Sequence, residues 1–418
     1  MNKKQIIIFI IVSFICLSLF NTIEAETYKL DDLINIAMEQ ANTLQIENIQ
    51  KTISDKYYNK ALYDFLPSAN YNLSATDGTM GHQYSSTLAI SKSIALNEPT
   101  YFNLKKSIID KKNNELALED KKKELALTIF SLYVDILQTQ KNIEILSENF
   151  DLQKKIYEQV NIQYQNNKKT IYDIQASQID TLTAMTDLLE FNKNLFSKRQ
   201  DLFQVLGIED LGFEFEDIDQ VESQDIDQFS DNITIQISEN KLKQNMLSLT
   251  QSRLSLLPNI YVSYSYNLGV TDKESEPIFK PKEYQDSYTY GIHFSYPIFN
   301  FLDRGAEYNI QKRQTQIIEI NHKDLVDKQN VRFQQALNDL KIYQQSYEIY
   351  RQKLDLSTTH LEIAQKRFEM GLINMLDLDK SRIQYLEAQL SMNSKYYSLL
   401  KKQQEINYLK SGKVLGKW

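Results

Sequence analysis

Apolar and polar residues alternate with period two in two stretches of the chain. From Asn259 onward, Ile260, Val262, Tyr264, Tyr266, Leu268 and Val270 alternate with Tyr261, Ser263, Ser265, Asn267 and Gly269. A partner run alternates Tyr288, Tyr290, Ile292, Phe294, Tyr296 and Ile298 with Thr289, Gly291, His293, Ser295 and Pro297. An earlier, weaker stretch has the same design: Tyr71, Leu73 and Ala75, then Tyr84, Leu88, Ile90 and Ile94. Tyr-rich alternation over about ten residues is what a transmembrane barrel strand requires. A soluble antiparallel sheet with one buried face gives the same pattern, and the pattern alone does not separate the two. Two hairpins supply four strands, whereas the smallest barrels need about eight. The barrel reading therefore demands an oligomer.

Elsewhere the period is helical. Leu125, Ile129, Leu132, Ile136, Ile143, Leu146 and Phe150 follow four-three steps, with Thr139 as the polar member. Phe333, Leu337, Leu340, Tyr347, Tyr350, Leu354, Leu361, Ala364 and Phe368 do so less strictly. This is coiled-coil spacing. No Gly or Pro occurs between Pro99 and Gly207, nor between Gly305 and Gly371. Such gaps predict helices several times the usual length of about 11–12 residues. At 1.5 Å per residue, a helix over 101–163 would span roughly 95 Å, and helices over 31–66 and 172–206 about half that. These lengths predict a wall in which each long helix packs beside a stacked pair.

The chain repeats itself. Leu66-Pro67 opens one hairpin region and Leu257-Pro258 the other. Further on, Gln163-Tyr164-Gln165-Asn166-Asn167 before Ile171-Tyr172-Asp173-Ile174 matches Arg367-Phe368-Glu369-Met370-Gly371 before Met375-Leu376-Asp377-Leu378. Each copy reads as helix, hairpin, very long helix, tip and returning helix. The division is 26–208 for repeat 1 (hairpin about 67–96), 209–231 for an acidic linker, and 232–418 for repeat 2 (hairpin about 258–299). The segment carries ten acids and no base and reads as a linker or small accessory structure, by default a solvated acidic loop, with a cation site as the minority reading.

Residues 1–25 read as a signal peptide: Lys3 and Lys4, an apolar run from Ile6 to Phe20, then Ile23-Glu24-Ala25 at a cleavage site. The single cysteine, Cys16, lies inside it. A net charge of −8 gives no reason to expect nucleic acid. The four histidines are scattered without metal spacing, and no phosphate-binding or nucleophile motif occurs. No catalytic residue, cofactor or metal is expected, and His293 is read as a polar lining residue.

Assembled, this pattern resembles the TolC family of outer-membrane efflux proteins. The resemblance rests on the duplicated half, Leu-Pro before each first strand, Arg367-Phe368-x-x-Gly371 leading to Leu376-Asp377-Leu378, and the hairpin exit Tyr296-Pro297-Ile298-Phe299. It implies a mainly α fold with a β-barrel contribution: long antiparallel coiled-coil helices, two β-hairpins per protomer, a trimeric 12-stranded barrel and an α-helical tunnel. It also implies a homotrimer in outer-membrane lipid, extending into the periplasm. The partners would be a periplasmic adaptor (membrane fusion protein) and an inner-membrane pump of the RND, ABC or MFS type. The function implied is a passive conduit in tripartite efflux or type I secretion. A periplasmic or surface coiled-coil protein without a barrel is the alternative, resting on the heptads and the weaker first hairpin.

Residue by residue, the resemblance makes the two tips the adaptor-docking and gating end. Docking candidates are Tyr164, Asn167 and Lys168 in the first copy, and Arg367, Phe368, Gly371 and Leu372 in the second. Asp173 and Asp377 are candidate gate residues, each gathered into a ring by three-fold symmetry. Lys380 stands where some relatives have a second acid, so the ring is either shifted toward Asp379 or neutralised. The plain alternative for each aspartate is an acid favoured by a helix N-terminus.

Overall fold

The computed structural model describes residues 27–78, 81–95, 99–218, 232–272, 285–296, 301–370 and 372–411. The expected signal peptide, most of the second hairpin loop, the exit at Pro297-Ile298-Phe299, Gly371 and the C-terminal tail lie outside them. In chain order the elements are β1 (Thr27–Tyr28), α1 (Leu30–Gln40), α2 (Asn42–Tyr63), β2 (Ser68–Gly78), β3 (Gly81–Ala95), α3 (Pro99–Gln165) and α4 (Ile171–Leu206). There follow β4 (Glu214–Phe215), α5 (Ile233–Leu254), β5 (Asn259–Asp272), β6 (Gln285–Ser295), α6 (Phe301–Glu369) and α7 (Met375–Ser411). The fold is mainly helical with two β-hairpins, as expected. The Gly- and Pro-free stretches become α3, with 67 residues, and α6, with 69.

Two compact units divide the chain, and α3 and α6 each contribute to both. The sheet unit takes residues 46–121 and 231–331; the helical unit takes 122–230, 332–418 and the chain up to Gln45.

In the sheet unit, the strands run in the order β2-β3-β5-β6, all antiparallel. The register aligns like with like. Ile94 faces Val262 and Val262 faces Ile292, while Ile90 faces Tyr266 and Tyr266 faces Tyr288. One residue along, Ser91, Ser265 and Thr289 form a row, as do Ser93, Ser263 and Gly291. Because side chains alternate strictly, the pairing sorts one face apolar and the other polar across the sheet. Beside the sheet, Lys111 pairs with Asp55 at 3.0 Å, linking α3 to α2. Asn240 donates to Asn113 at 2.9 Å, linking α5 to α3, and His322 meets Ser238 at 3.0 Å, linking α6 to α5.

In the helical unit, the first heptad buries Leu125, Ile129, Ile136 and Leu146, but Phe130, Tyr133, Val134 and Leu137 are buried as well. This part of α3 is surrounded, which is wider than a two-stranded seam. Thr139 belongs there because its hydroxyl donates to the Asp135 carbonyl and accepts from Lys198 at 2.8 Å. Asn393 of α7 donates to Asn142 at 2.7 Å and to the Gln138 carbonyl, fixing α7 on α3. Phe333, Ala336 and Leu340 of α6 pack on Ile406 and Leu409 of α7.

Two expectations change. The helix expected over 31–66 breaks at Ala41, whose ψ of 125° is extended. Packing imposes the break: Leu30, Leu33, Ile34 and Ala37 are buried, α1 contacts α4, and Ala41 is itself buried. No Gly or Pro announces it, and tertiary context overrides local propensity. Nor is the acidic segment simply a solvated loop. Its residues 214–215 form a parallel two-residue pairing with 27–28, and Phe215 is buried against Tyr28, Tyr133 and Phe203.

Candidate functional site

The apolar face of the four-stranded sheet is exposed. Tyr288, Tyr290, Ile292 and Phe294 of β6 are 68–78 % accessible, and Tyr71, Leu73, Ile94, Val262 and Tyr264 are open too. A contiguous apolar sheet face of this kind marks an interaction with membrane or protein. Lys92 is the one base in the rows just described, and its ammonium reaches back to the Asp64 carbonyl at the hairpin's base. The polar face is hydrogen-bonded within itself. Ser74 meets Ser85 at 2.8 Å, and His293 Nε2 meets Ser263 at 2.8 Å while its ring stacks on Tyr261. Gly291 leaves room for that ring: a Cβ there would sit 3.2 Å from His293 Nε2. Among the described residues, no helix is long and apolar enough to cross a membrane, and no His, Cys, Asp or Glu cluster could hold a metal ion.

The tips belong to the helical unit. In the first, Asn167 takes the left-handed region with φ 58°. Lys168 N–H returns to the Gln163 carbonyl and Asn167 N–H to that of Tyr164, both at 2.8 Å. This paired closure satisfies the end of α3, and Asn tolerates the conformation because its short polar side chain offsets part of the steric cost. Thr170 then opens α4 with a reciprocal capping box. Asp173 accepts from the Thr170 backbone N–H and hydroxyl, both at 2.8 Å, and these bonds hold its carboxyl below the usual range. Tyr164 and Lys168 are exposed.

The second tip closes the same way, with Leu372 N–H to the Arg367 carbonyl at 2.8 Å. Its cap differs. Asn374 accepts from the Asp377 backbone N–H at 2.9 Å, which leaves the Asp377 side chain exposed and without a described hydrogen bond or ion pair. Lys380, Arg367 and Leu372 are also exposed. Phe368 turns inward onto the cluster of Leu361, Ala364 and Leu378. Gly371 lies outside the described residues.

Sequence reasoning missed a neighbouring cluster. Arg382 is only 5 % exposed and donates through Nη1 to Asp379 at 2.8 Å, while its Nε and Nη2 have no partner. Asp180 of α4 lies close enough to act on both charges. Burial raises the carboxyls of Asp379 and Asp180 and lowers the Arg382 guanidinium, so desolvation outweighs the ion pair. The Asp379-x-x-Arg382 spacing was the available signal. Beside it, Asp187, Gln153 and Phe191 help line a groove of about 460 Å³.

A second buried knot also escaped notice. Arg199 grips Asp210 through two bonds of 2.6 Å, donates to the Phe213 carbonyl, and lies 4.9 Å over the Phe215 ring. Burial alone would raise Asp210, but Arg199, the Gly212 N–H and the Tyr28 hydroxyl bring it below the usual range. Tyr133 presents its hydroxyl to the carbonyls of Tyr28 and Glu216, at 2.8 and 2.6 Å.

Doubled hairpins, an exposed apolar sheet face and helix-turn-helix tips define the architecture. Residues 232–409 match the family model described as outer membrane efflux protein. That match lies within the second repeat, and over nine-tenths of the chain the fold is shared with solved outer-membrane channels. The Campylobacter jejuni CmeC outer membrane channel superposes with a TM-score of 0.81 at 17 % identity, over 93 % of this chain and 87 % of that one. VceC, an outer membrane protein of Vibrio cholerae, gives 0.79 at 12 % identity, over 91 % and 95 %. The open state of the Neisseria gonorrhoeae MtrE outer membrane channel gives 0.74 at 16 % identity, over 91 % and 88 %. No curated protein matches by sequence.

Proposed function

We propose that the chain is the outer-membrane channel of a tripartite efflux or type I secretion system, a passive conduit built as a homotrimer. The observation that carries this reading is the sheet of the sheet unit. Its apolar face is exposed, and its edge strands β2 and β6 have no further partner among the described residues. Open edges present unpaired backbone groups, which cannot be left so in lipid. Pairing β6 of one copy with β2 of the next removes every edge, and three copies reach twelve strands. A soluble scaffold would have to cover the same face.

In this reading the polar face lines the lumen, with His293 as a lining residue. The tips form the periplasmic end, where an adaptor and an inner-membrane pump dock. Asp377 is the better gate candidate, since its carboxylate has no partner among the described residues whereas Asp173 serves its own helix cap. In lipid bilayers, purified protein is expected to give uniform conductance steps from a trimer. Failure to insert, or a monomer of unchanged fold in detergent, would sink the proposal.

A further inference from the structure

The polar face of the four-stranded sheet differs from the rest of the chain in its charge. Asp, Glu, Lys and Arg make up 24 % of the sequence, yet the register leaves none of them on this face. Over 68–75, 85–95, 259–269 and 286–295, the positions that share it are Ser, Thr, Asn, Ala and Gly, with Tyr261 and His293. The two charges that these spans do hold, Lys92 and Asp286, fall on the apolar face by the same alternation. His293 is therefore the one side chain of the polar face in these spans whose type changes charge between about pH 5 and 8.

The surroundings of the ring suit its charged form. Nε2 lies 2.8 Å from Ser263 Oγ, which accepts when that nitrogen carries a proton. The ring stacks on Tyr261 with centroids 4.6 Å apart and planes 12° from parallel, and an aromatic face attracts a cation. The neighbouring strands bring no competing charge to this face. Tyr261 of β5 is the titratable group in contact, and Ala95 of β3 continues its row. On β6 the nearest charge is Asp286, on the other face, and beyond the strand come Asp303 and Arg304 at the start of α6. On β5 no charge lies between Arg253 and Asp272, and β3 offers Lys92, again on the other face. Strand β2, which the ring reading sets beside β6 of the next copy, presents Ser68, Asn70, Asn72 and Ser74.

We infer that the strand section of the conduit is uncharged on its lumen face at neutral pH, and that His293 alone sets its ion selectivity, turning it toward anions when protonated. This rests on the ring proposed above, with the polar face as its lumen. A passage lined by hydroxyls and amides sorts solutes by size and hydrogen bonding and passes cations and anions alike. Protonation would add one positive charge per copy at a single level, and a ring of like charges selects the opposite ion. Charge selection at neutral pH then belongs to the helical unit, where Asp377 lies exposed.

The test uses the full chain in planar bilayers, with reversal potentials read in a potassium chloride gradient at about pH 7.5 and about pH 5. The parent is expected to gain about twofold in anion over cation permeability at the lower pH. The gain is expected to grow as salt falls from about 0.15 M to 0.01 M, because the screening length rises from about 8 to 30 Å. His322→Gln and His360→Gln are expected to keep the gain, and His293→Gln to lose most of it. Channels of His293→Gln with the full gain would overturn the role of His293 and leave the ring reading standing. A second measurement reads the face itself, through Ser295→Cys in a Cys16→Ser background. Cationic and anionic methanethiosulfonates are expected to react with it at about pH 7.5 in the same ratio as with a free thiol, and at about pH 5 the ratio is expected to shift about twofold toward the anionic reagent. A strong bias toward either reagent at the higher pH would overturn the uncharged face. Absence of channels altogether would overturn both readings together.

Discussion

The molecule contains two sheets that treat aromatic residues in opposite ways. The pairing of β1 with β4 is two residues long, yet Tyr28 and Phe215 within it are buried among Phe203, Phe213 and Tyr133. The four-stranded sheet holds strands of 11 to 15 residues, and its Tyr288 and Tyr290 stand open. Composition does not separate them. What covers each sheet does: α1, α3 and α4 enclose the small one, whereas among the described residues no element buries the apolar face of the large one. The small sheet is held by an ion pair and a tyrosine hydroxyl, the large one by its ladder and by whatever environment receives its face.

Breaking the small sheet is expected to cost most. Arg199→Ala would leave Asp210 and the Phe213 carbonyl without their donor in a largely buried site, a loss of about 3–5 kcal/mol. Thermal melting of the detergent-solubilised protein checks it, and a melt within a degree of the parent would mean that the clasp is ornamental. Next comes the large sheet. Ile292→Arg is expected to cost about 2–4 kcal/mol in the membrane, if that row lies near mid-depth. The variant would then be lost from the outer-membrane fraction. Thr289→Arg, on the other face, is expected to insert normally, and equal loss from both would contradict the assignment of faces.

Acid separates the clasp from the tip cluster. The Asp210 carboxyl lies below its usual range in the fold, so its contribution is full above the unfolded value near 4. That contribution disappears as pH falls through the lower folded value. Asp379 and Asp180 are raised, so ionising them costs the fold, and their cluster strengthens as pH falls through their raised values. Hydrogen exchange against pH is expected to show the α1–β4 region loosening under acid while the start of α7 tightens. The smallest effect contrasts the tips. Asp377→Ala is expected to weaken block of single channels by multivalent cations with little change in stability. Asp173→Ala is expected to lose its share of the cap, about 1 kcal/mol, and to leave the block as it was.

Much of this was legible in the sequence because it is written in short periods. Alternation at Ile260 to Val270 names a strand and its faces, and heptads with no Gly or Pro name α3 and α6. The tips were legible because the repeat sets Asn167 and its neighbours between a long helix and a returning one. What stayed hidden depends on partners far along the chain. The clasp joins Tyr28 to residues beyond 209, a separation no window spans. Ala41 breaks a helix only because α1 packs on α4. Asp377 and Asp173 occupy matching positions in the two copies, and sequence treats them alike. Only the caps reveal that Thr170 claims one carboxylate and Asn374 leaves the other free.

The edges of the large sheet, unpaired among the described residues, bear on the protein's life before it would reach the proposed membrane. A newly made chain would carry two adhesive strand edges and an oily face through water, and each invites the wrong neighbour. If it forms the proposed trimer, such a chain would have to find its copies or a holding chaperone before it finds itself in aggregates. Its yield in a cell would then depend on how steeply synthesis rate and escort capacity compete, more than on how firmly any single chain is folded.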